Sequence, residues 1–209
     1  MKKLSRKERR LLGNQPEDAR CETATEIAEE AVRPEPPKTK INYPTIMSWV
    51  YSRPKLVLAI KWFEIAAVAF IIATYVLFGA LMAIIDSPLR AIVYIIVTEV
   101  AFFAVSMMRV WLDFKRPYER YDTDALGIVI EKKRCGRGFP SRHVFSAFII
   151  GVLLLPSLMP LGIAVLALGA LMAFTRVVSG KHFLTDVLAG AGIGIVLGMV
   201  GVISMALIG

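Results

Sequence analysis

The polar and apolar residues of this chain are sorted into blocks instead of alternating. Apolar runs occupy residues 65–85, 91–108, 144–174 and 183–208, and the charges between them gather at 86–90, 109–143 and 175–181. A helix needs about 20 apolar residues to cross the hydrocarbon core of a bilayer, where every backbone group must be paired internally. Runs of this length predict an all-α integral membrane helical bundle. The run 144–174 contains Pro156 and Pro160 and has polar clusters at both ends. One long helix would leave those clusters on opposite membrane faces. A hairpin turning at 156–160, with two arms of about 15 residues each, short for full spans, puts them on one face. The count is then about five spans, or six if 43–63 also crosses. A crossing there would bury Arg53, Lys55 and Lys61, which is costly. With Trp49, Tyr51, Trp62 and Phe63 among those charges, 45–63 reads as an interfacial amphipathic helix. Residues 1–44 form a polar, flexible tail in which only 23–32 suits a short helix. The predicted organisation is therefore tail 1–44, interfacial helix 45–63 and membrane-embedded domain 64–209.

Composition narrows the partners. The chain has 209 residues, 56% of them hydrophobic, and a formal net charge of +8. Its basic residues are tied to helix ends, which suits anionic headgroups or phosphate ligands and argues against nucleic acid. Cys21 and Cys135 are too few for a disulfide framework and have no metal-type spacing. The basic N-terminal residues are not followed by an apolar core, so no cleaved leader is expected. Two carboxylates, Glu64 and Glu99, lie in or beside apolar runs. Such groups are costly in a membrane and usually face the bundle interior; Glu99 reads as a hydrogen-bonded structural residue. Gly190, Gly194 and Gly198 recur every fourth residue, a small-residue stripe suited to close helix packing within the chain.

The candidate chemistry sits at the ends of the spans. Arg109 and Arg116 follow the second run, Ser141 and His143 precede the third, and Arg176, His182 and Asp186 flank the last connection. Guanidinium groups bind phosphate oxygens bidentately and stay charged at any working pH, so Arg109, Arg116 and Arg176 can surround one phosphoryl group. Helix starts at Ser141–His143 and at His182 would add backbone N–H groups and the positive end of a dipole. His182 and Asp186 are four apart, a spacing that places them on one helix face. The carboxylate can then hold the imidazole in one tautomer and leave its other nitrogen as nucleophile. His143 is free to act as general acid. Each residue has a plainer use: interfacial arginines snorkel, Ser141 can be a helix cap, and Lys132, Lys133, Arg134 and Arg137 suit a solvated loop. Those uses do not explain both histidines, an i+4 carboxylate and three arginines at adjoining helix ends.

Arg109-x6-Arg116-Pro117, Pro140-Ser-Arg-His143 and Thr175-Arg176-x5-His182-x3-Asp186 resemble the three signature motifs of the type 2 phosphatidic acid phosphatase family, which shares its core with vanadium haloperoxidases. The resemblance covers about residues 90–205. It implies that Arg109, Arg116 and Arg176 bind phosphate with help from Ser141. His182 would form a phosphohistidine, Asp186 would orient it, and His143 would protonate the leaving group, with no metal or other cofactor. Three positions depart from the pattern. Arg109 stands where lysine is usual, and Thr175 where serine is common. Arg142 replaces the usual glycine, crowding the phosphate or supplying a fourth cation to hold it. The implied function is hydrolysis of a membrane lipid phosphomonoester, of phosphatidate or phosphatidylglycerophosphate type. An undecaprenyl diphosphate phosphatase is the alternative. A haloperoxidase is disfavoured by the spans, and a non-enzymatic lipid-binding protein by the retention of His182 and Asp186. Lys and Arg are concentrated in the tail and motif loops, which places both on the cytoplasmic side of the cell membrane; the resembling family usually works on the outer face. Oligomeric state is left open.

Overall fold

The computed structural model describes residues 41–121, 123, 128 and 136–208, so the tail to residue 40, Cys21, Cys135, Lys132, Lys133 and Arg134 lie outside the described residues. Seven α-helices follow in order: α1 (Tyr43–Tyr51), α2 (Pro54–Leu81), α3 (Pro88–Leu112), α4 (Pro117–Arg120), α5 (Arg142–Leu154), α6 (Met159–Val178) and α7 (Leu184–Ala206). A wide π-type turn, Met82–Asp86, ends α2. Proline sits in the first or second position of α1, α2, α3, α4 and α6, where its missing N–H costs nothing and its fixed φ suits a helix.

Among the described residues, four helices are long and apolar enough to cross a membrane: α2, α3, α6 and α7. The fifth, α5, has 13 residues, about 20 Å at the helical rise against a hydrocarbon core of about 30 Å. The predicted hairpin is present, turning between Leu154 and Met159. Its arms are unequal, because Pro156 stops α5 early while α6 runs on through Thr175 and Arg176 to Val178. Nine α5 residues are buried, Val144 and Phe145 completely, so this short helix is the axis of the bundle.

The glycine stripe makes that axis possible. A Cβ on Gly190 would stand 2.6 Å from the Ser141 carbonyl oxygen, and one on Gly194 would stand 2.8 Å from that of Phe145. Helix α7 therefore lies against the α5 backbone itself, which confirms the stripe as an intrachain seam. Across the hairpin, Gly151 and Gly162 allow α5 and α6 the same close approach.

The region read as a single interfacial helix over 45–63 is divided. Pro54 cannot continue a helix and restrains Arg53 before it to extended backbone. The chain breaks at Ser52–Arg53, and 54–63 becomes the first part of the spanning α2. Helix α1 is capped by Asn42, whose Oδ1 accepts from Thr45 N–H at 3.3 Å. It buries Tyr43, Met47 and Val50 and turns Trp49 outward under the Arg53 guanidinium, 4.1 Å from the ring. Tyr43 and Met47 pack with Tyr118, Val144, Val177 and Phe183 in a second apolar cluster beneath the polar end of the bundle.

Candidate functional site

Four segments converge at that end. Arg109 occupies the last turn of α3, a position where a cation opposes the negative end of the helix dipole. It is buried, and its Nη1 donates to the Pro140 carbonyl, tying α3 to the residues before α5. Arg116 precedes α4; its Nε donates to the Gly136 carbonyl at 3.3 Å. That partner segment is itself pinned. Gly136 N–H donates to Glu119 Oε2 (2.9 Å), Arg137 N–H to Asp113 Oδ1 (3.0 Å) and Gly138 N–H to the Phe114 carbonyl (2.7 Å). Arg137 is exposed, as expected of a loop residue.

The two helix starts differ in a way the sequence did not reveal. At α7 the protein uses its own N–H groups: Phe183 N–H donates to Asp186 Oδ2 at 2.8 Å and Leu184 N–H to the Tyr43 hydroxyl at 2.8 Å. At α5 Ser141 is the N-cap residue, yet its side chain makes no capping bond. Ser141 is fully buried, and its Oγ has no hydrogen-bond partner among the described residues. A buried hydroxyl without a partner is costly. Of the two starts, only that of α5 has an unpaired cap side chain among the described residues, whereas the first N–H groups of α7 are taken within the protein, which corrects the expectation of free N–H groups there. The two starts are joined by Ser141 N–H donating to the Asp186 carbonyl at 3.0 Å.

His182 lies two residues before α7, so it and Asp186 do not share a helical face. The carboxylate reaches back over the helix start instead, bringing Oδ2 to 3.4 Å from His182 Nδ1. That contact is close without being aligned as a hydrogen bond, because Oδ2 is also the acceptor for Phe183 N–H. The side facing Asp186 is nonetheless Nδ1, which leaves Nε2 as the other ring nitrogen. Burial holds the His182 pKa well below the ordinary 6.5, and the nearby positive charges of Arg116, Arg176 and Arg109 push the same way. Both causes favour the neutral imidazole. His143 lies in the first turn of α5, and the charges of Arg176, Arg142, Arg109 and Arg116 all reach its ring. Arg142, beside it, sets its guanidinium 5.8 Å from the Phe102 ring.

Arg176, in the last turn of α6, is buried with Nη2 3.9 Å from Glu64 Oε2. Its Nε has no partner among the described residues. The same Glu64 oxygen accepts from Lys181 Nζ at 2.6 Å. Sequence reasoning placed Glu64 only as a membrane carboxylate and Lys181 only in a polar patch. The structure makes them one unit with Arg176, and the available signal was a lone acid near the start of an apolar helix. Tyr43 and Tyr51 were missed as well: they brace residues 179–184 through Leu184 N–H and the Ser179 carbonyl, the latter at 3.4 Å. Gly180, at φ +67°, rests on Met47 so closely that a Cβ would meet its sulfur at 2.4 Å.

The sequence model of the PAP2 superfamily matches residues 88–207, which takes in α3 to α7 and leaves α1 and α2 outside. No curated protein matches. Among solved structures the fold is similar to that of LpxE from Aquifex aeolicus, at 19% identity and a TM-score of 0.55, covering 75% of this chain and 92% of that one. It is also similar to a transmembrane PAP2-type phosphatidylglycerolphosphate phosphatase from Bacillus subtilis, at 19% identity and a TM-score of 0.57, covering 88% and 94%.

Proposed function

The chain belongs to the PAP2 superfamily, and from that premise we propose that it is a metal-independent lipid phosphate phosphatase of the cell membrane working through a phosphohistidine. The observation that carries this reading is a cluster of buried polar atoms lacking protein partners, Ser141 Oγ, Arg176 Nε and His182 Nδ1, around an uncapped helix start. An incoming phosphate supplies the acceptors that Ser141 and Arg176 lack.

In the reaction, Arg109, Arg116, Arg176 and Arg142 hold the phosphoryl oxygens with Ser141 and the first N–H groups of α5. Neutral His182 attacks phosphorus through Nε2 as the bond to the lipid oxygen breaks, and Asp186 steadies the imidazolium that forms. The substrate dianion offsets the arginine charges around His143, so that ring carries the proton it gives to the leaving alkoxide. Water then attacks the phosphohistidine, yielding its proton to His143 and restoring His182. The arginines and the helix start stabilise the charge that develops on the trigonal-bipyramidal phosphoryl group. The substrate is a phosphomonoester of phosphatidate or phosphatidylglycerophosphate type. Arg142, as a fourth cation, favours one second reading, a diphosphate such as undecaprenyl diphosphate.

Phosphate release by the purified protein from a panel of lipid phosphates tests the reading. Activity is expected to persist in chelator and to be blocked by vanadate. His182→Ala should lower it by roughly six orders of magnitude, the scale of losing a nucleophile, with unchanged elution in detergent. Near-normal turnover by that variant would exclude the phosphohistidine.

A further inference from the structure

A cavity of about 340 Å³ runs from the phosphate end into the membrane region between α2, α3 and α5. His143 and Arg142 line it, and Phe102 and Ile150 contribute to its apolar wall. Its lining also includes Tyr75 and Glu99, whose side chains are hydrogen-bonded: the Tyr75 hydroxyl donates to Glu99 Oε1 at 3.0 Å. Glu99 is exposed, on a helix that crosses the membrane. An acid in that setting is expensive and calls for a partner. Tyr75 engages one carboxyl oxygen, and a carboxyl group has acceptor capacity beyond one bond. The pair is thus a polar rung in a largely apolar slot continuous with His143; the slot's other polar lining residues are Arg142, Ser146 and Thr98, the last with its hydroxyl given to the Tyr94 carbonyl.

Its depth can be read along the helix. Glu99 precedes Arg109 by ten residues on α3, about 15 Å of helical rise. Allowing for the reach of the Arg109 side chain, the rung would lie on the order of 10 Å below a phosphate held by Arg109. That is too far to read the phosphate ester itself, and it falls at the first bonds of a lipid's acyl region. An acyl chain linked by an ordinary ester has no hydrogen-bond donor there.

Resting on the reading of this protein as a lipid phosphate phosphatase, we propose that the Tyr75–Glu99 pair selects lipid phosphates that carry a hydroxyl or amide N–H donor near the top of an acyl chain. The donor bonds to the carboxyl group of Glu99, with Tyr75 holding that group in place. A lipid without the donor leaves the rung unpaired inside the slot, and sites built to bond a substrate hydroxyl or N–H reject analogues that lack it. Both residues act on substrate choice and take no part in the phosphoryl transfer.

The test compares three lipids of equal chain length: a diacyl phosphatidate, its analogue with a hydroxyl on the acyl chain, and its amide-linked analogue. kcat/KM is measured for each with the wild type, Glu99→Leu and Tyr75→Phe. Because each comparison is a ratio within one preparation, differences in folded fraction cancel, and leucine at a lipid-facing position suits the membrane. The wild type should prefer at least one donor-bearing lipid by about 10-fold or more, on the scale of a hydrogen bond to a charged group. Glu99→Leu should abolish that preference and Tyr75→Phe should reduce it. A wild type indifferent to the donor, or a preference that survives Glu99→Leu, overturns the proposal while leaving the phosphatase reading intact. Release from none of the three lipids, with a water-soluble phosphate ester hydrolysed, overturns the lipid reading and the proposal with it.

Discussion

Glu64 and Glu99 are both acids in membrane helices, and their surroundings assign them opposite work. Glu64, ten residues beyond the first residue of α2, is buried and bound to Lys181 at 2.6 Å with Arg176 nearby. Glu99, in the middle of α3, is exposed and bonded only to an uncharged tyrosine. One carboxylate offsets cations crowded at the polar end of the bundle; the other lines the cavity that runs from that end between the helices. In a membrane, an acid's use follows from what neutralises it, because hydrocarbon offers no solvation. Position in the sequence alone does not distinguish the two.

The comparison breaks most readily at Glu64. Glu64→Gln leaves Lys181 and Arg176 without their counter-charge, and a lost charged hydrogen bond is worth roughly 1.5–3 kcal/mol. We expect kcat/KM to fall about 10- to 100-fold for every lipid alike, with the affinity for vanadate changed as well. A loss that depends on the acyl region of the lipid would place Glu64 in the slot and erase the distinction.

A second test separates the site's framework from the slot. Gly190→Ala would drive a Cβ into the Ser141 carbonyl, 2.6 Å away, whereas one at Gly192 meets nothing within 4 Å. Overpacking of this kind costs about 1–3 kcal/mol, and it would part Ser141 from Asp186. Gly190→Ala should therefore lose stability in detergent and most of its activity while Gly192→Ala resembles the wild type. Equal behaviour of the two variants would show that the seam does not set the site.

The smallest expected effect is on stability against pH. Folding holds the His182 pKa well below 6.5. Between that value and 6.5 the unfolded chain takes up a proton that the folded protein refuses, so stability is lost as pH falls through 6.5. From pH 7 to 5.5 the wild type should lose about 1 kcal/mol relative to His182→Gln, which lacks this group. Parallel stability curves would mean that His182 titrates normally and is not held neutral by burial among the arginines.

Much of this was legible in the pattern of the chain. Block length predicted the membrane helices, the polar clusters at both ends of 144–174 called for a hairpin at Pro156 to Pro160, and the spacing of the glycines gave a packing seam. Residue chemistry alone selected His182, His143, Asp186 and the arginines, because few other uses fit so many phosphate-binding groups at adjoining helix ends. The helix break at Ser52–Arg53 was obscured by the mixture of aromatic and basic residues across 45–63, although Pro54 marks the place. The sequence also could not say which helix start is open. That depends on Tyr43, from 141 residues away, supplying the hydroxyl that caps α7, and on the Ser141 side chain making no capping bond at the start of α5.

Periodicity and composition by themselves determined that the chain is a helical membrane bundle with candidate phosphate-binding residues at adjoining helix ends, since burial in hydrocarbon and charge chemistry act on each segment locally. Tertiary structure alone decided that Glu64 reaches Lys181 and Arg176, that Glu99 looks into a slot with Tyr75, and that Ser141 is left unpaired. Those facts depend on which helices lie side by side, and contact between groups distant in the chain is settled only when the whole bundle packs.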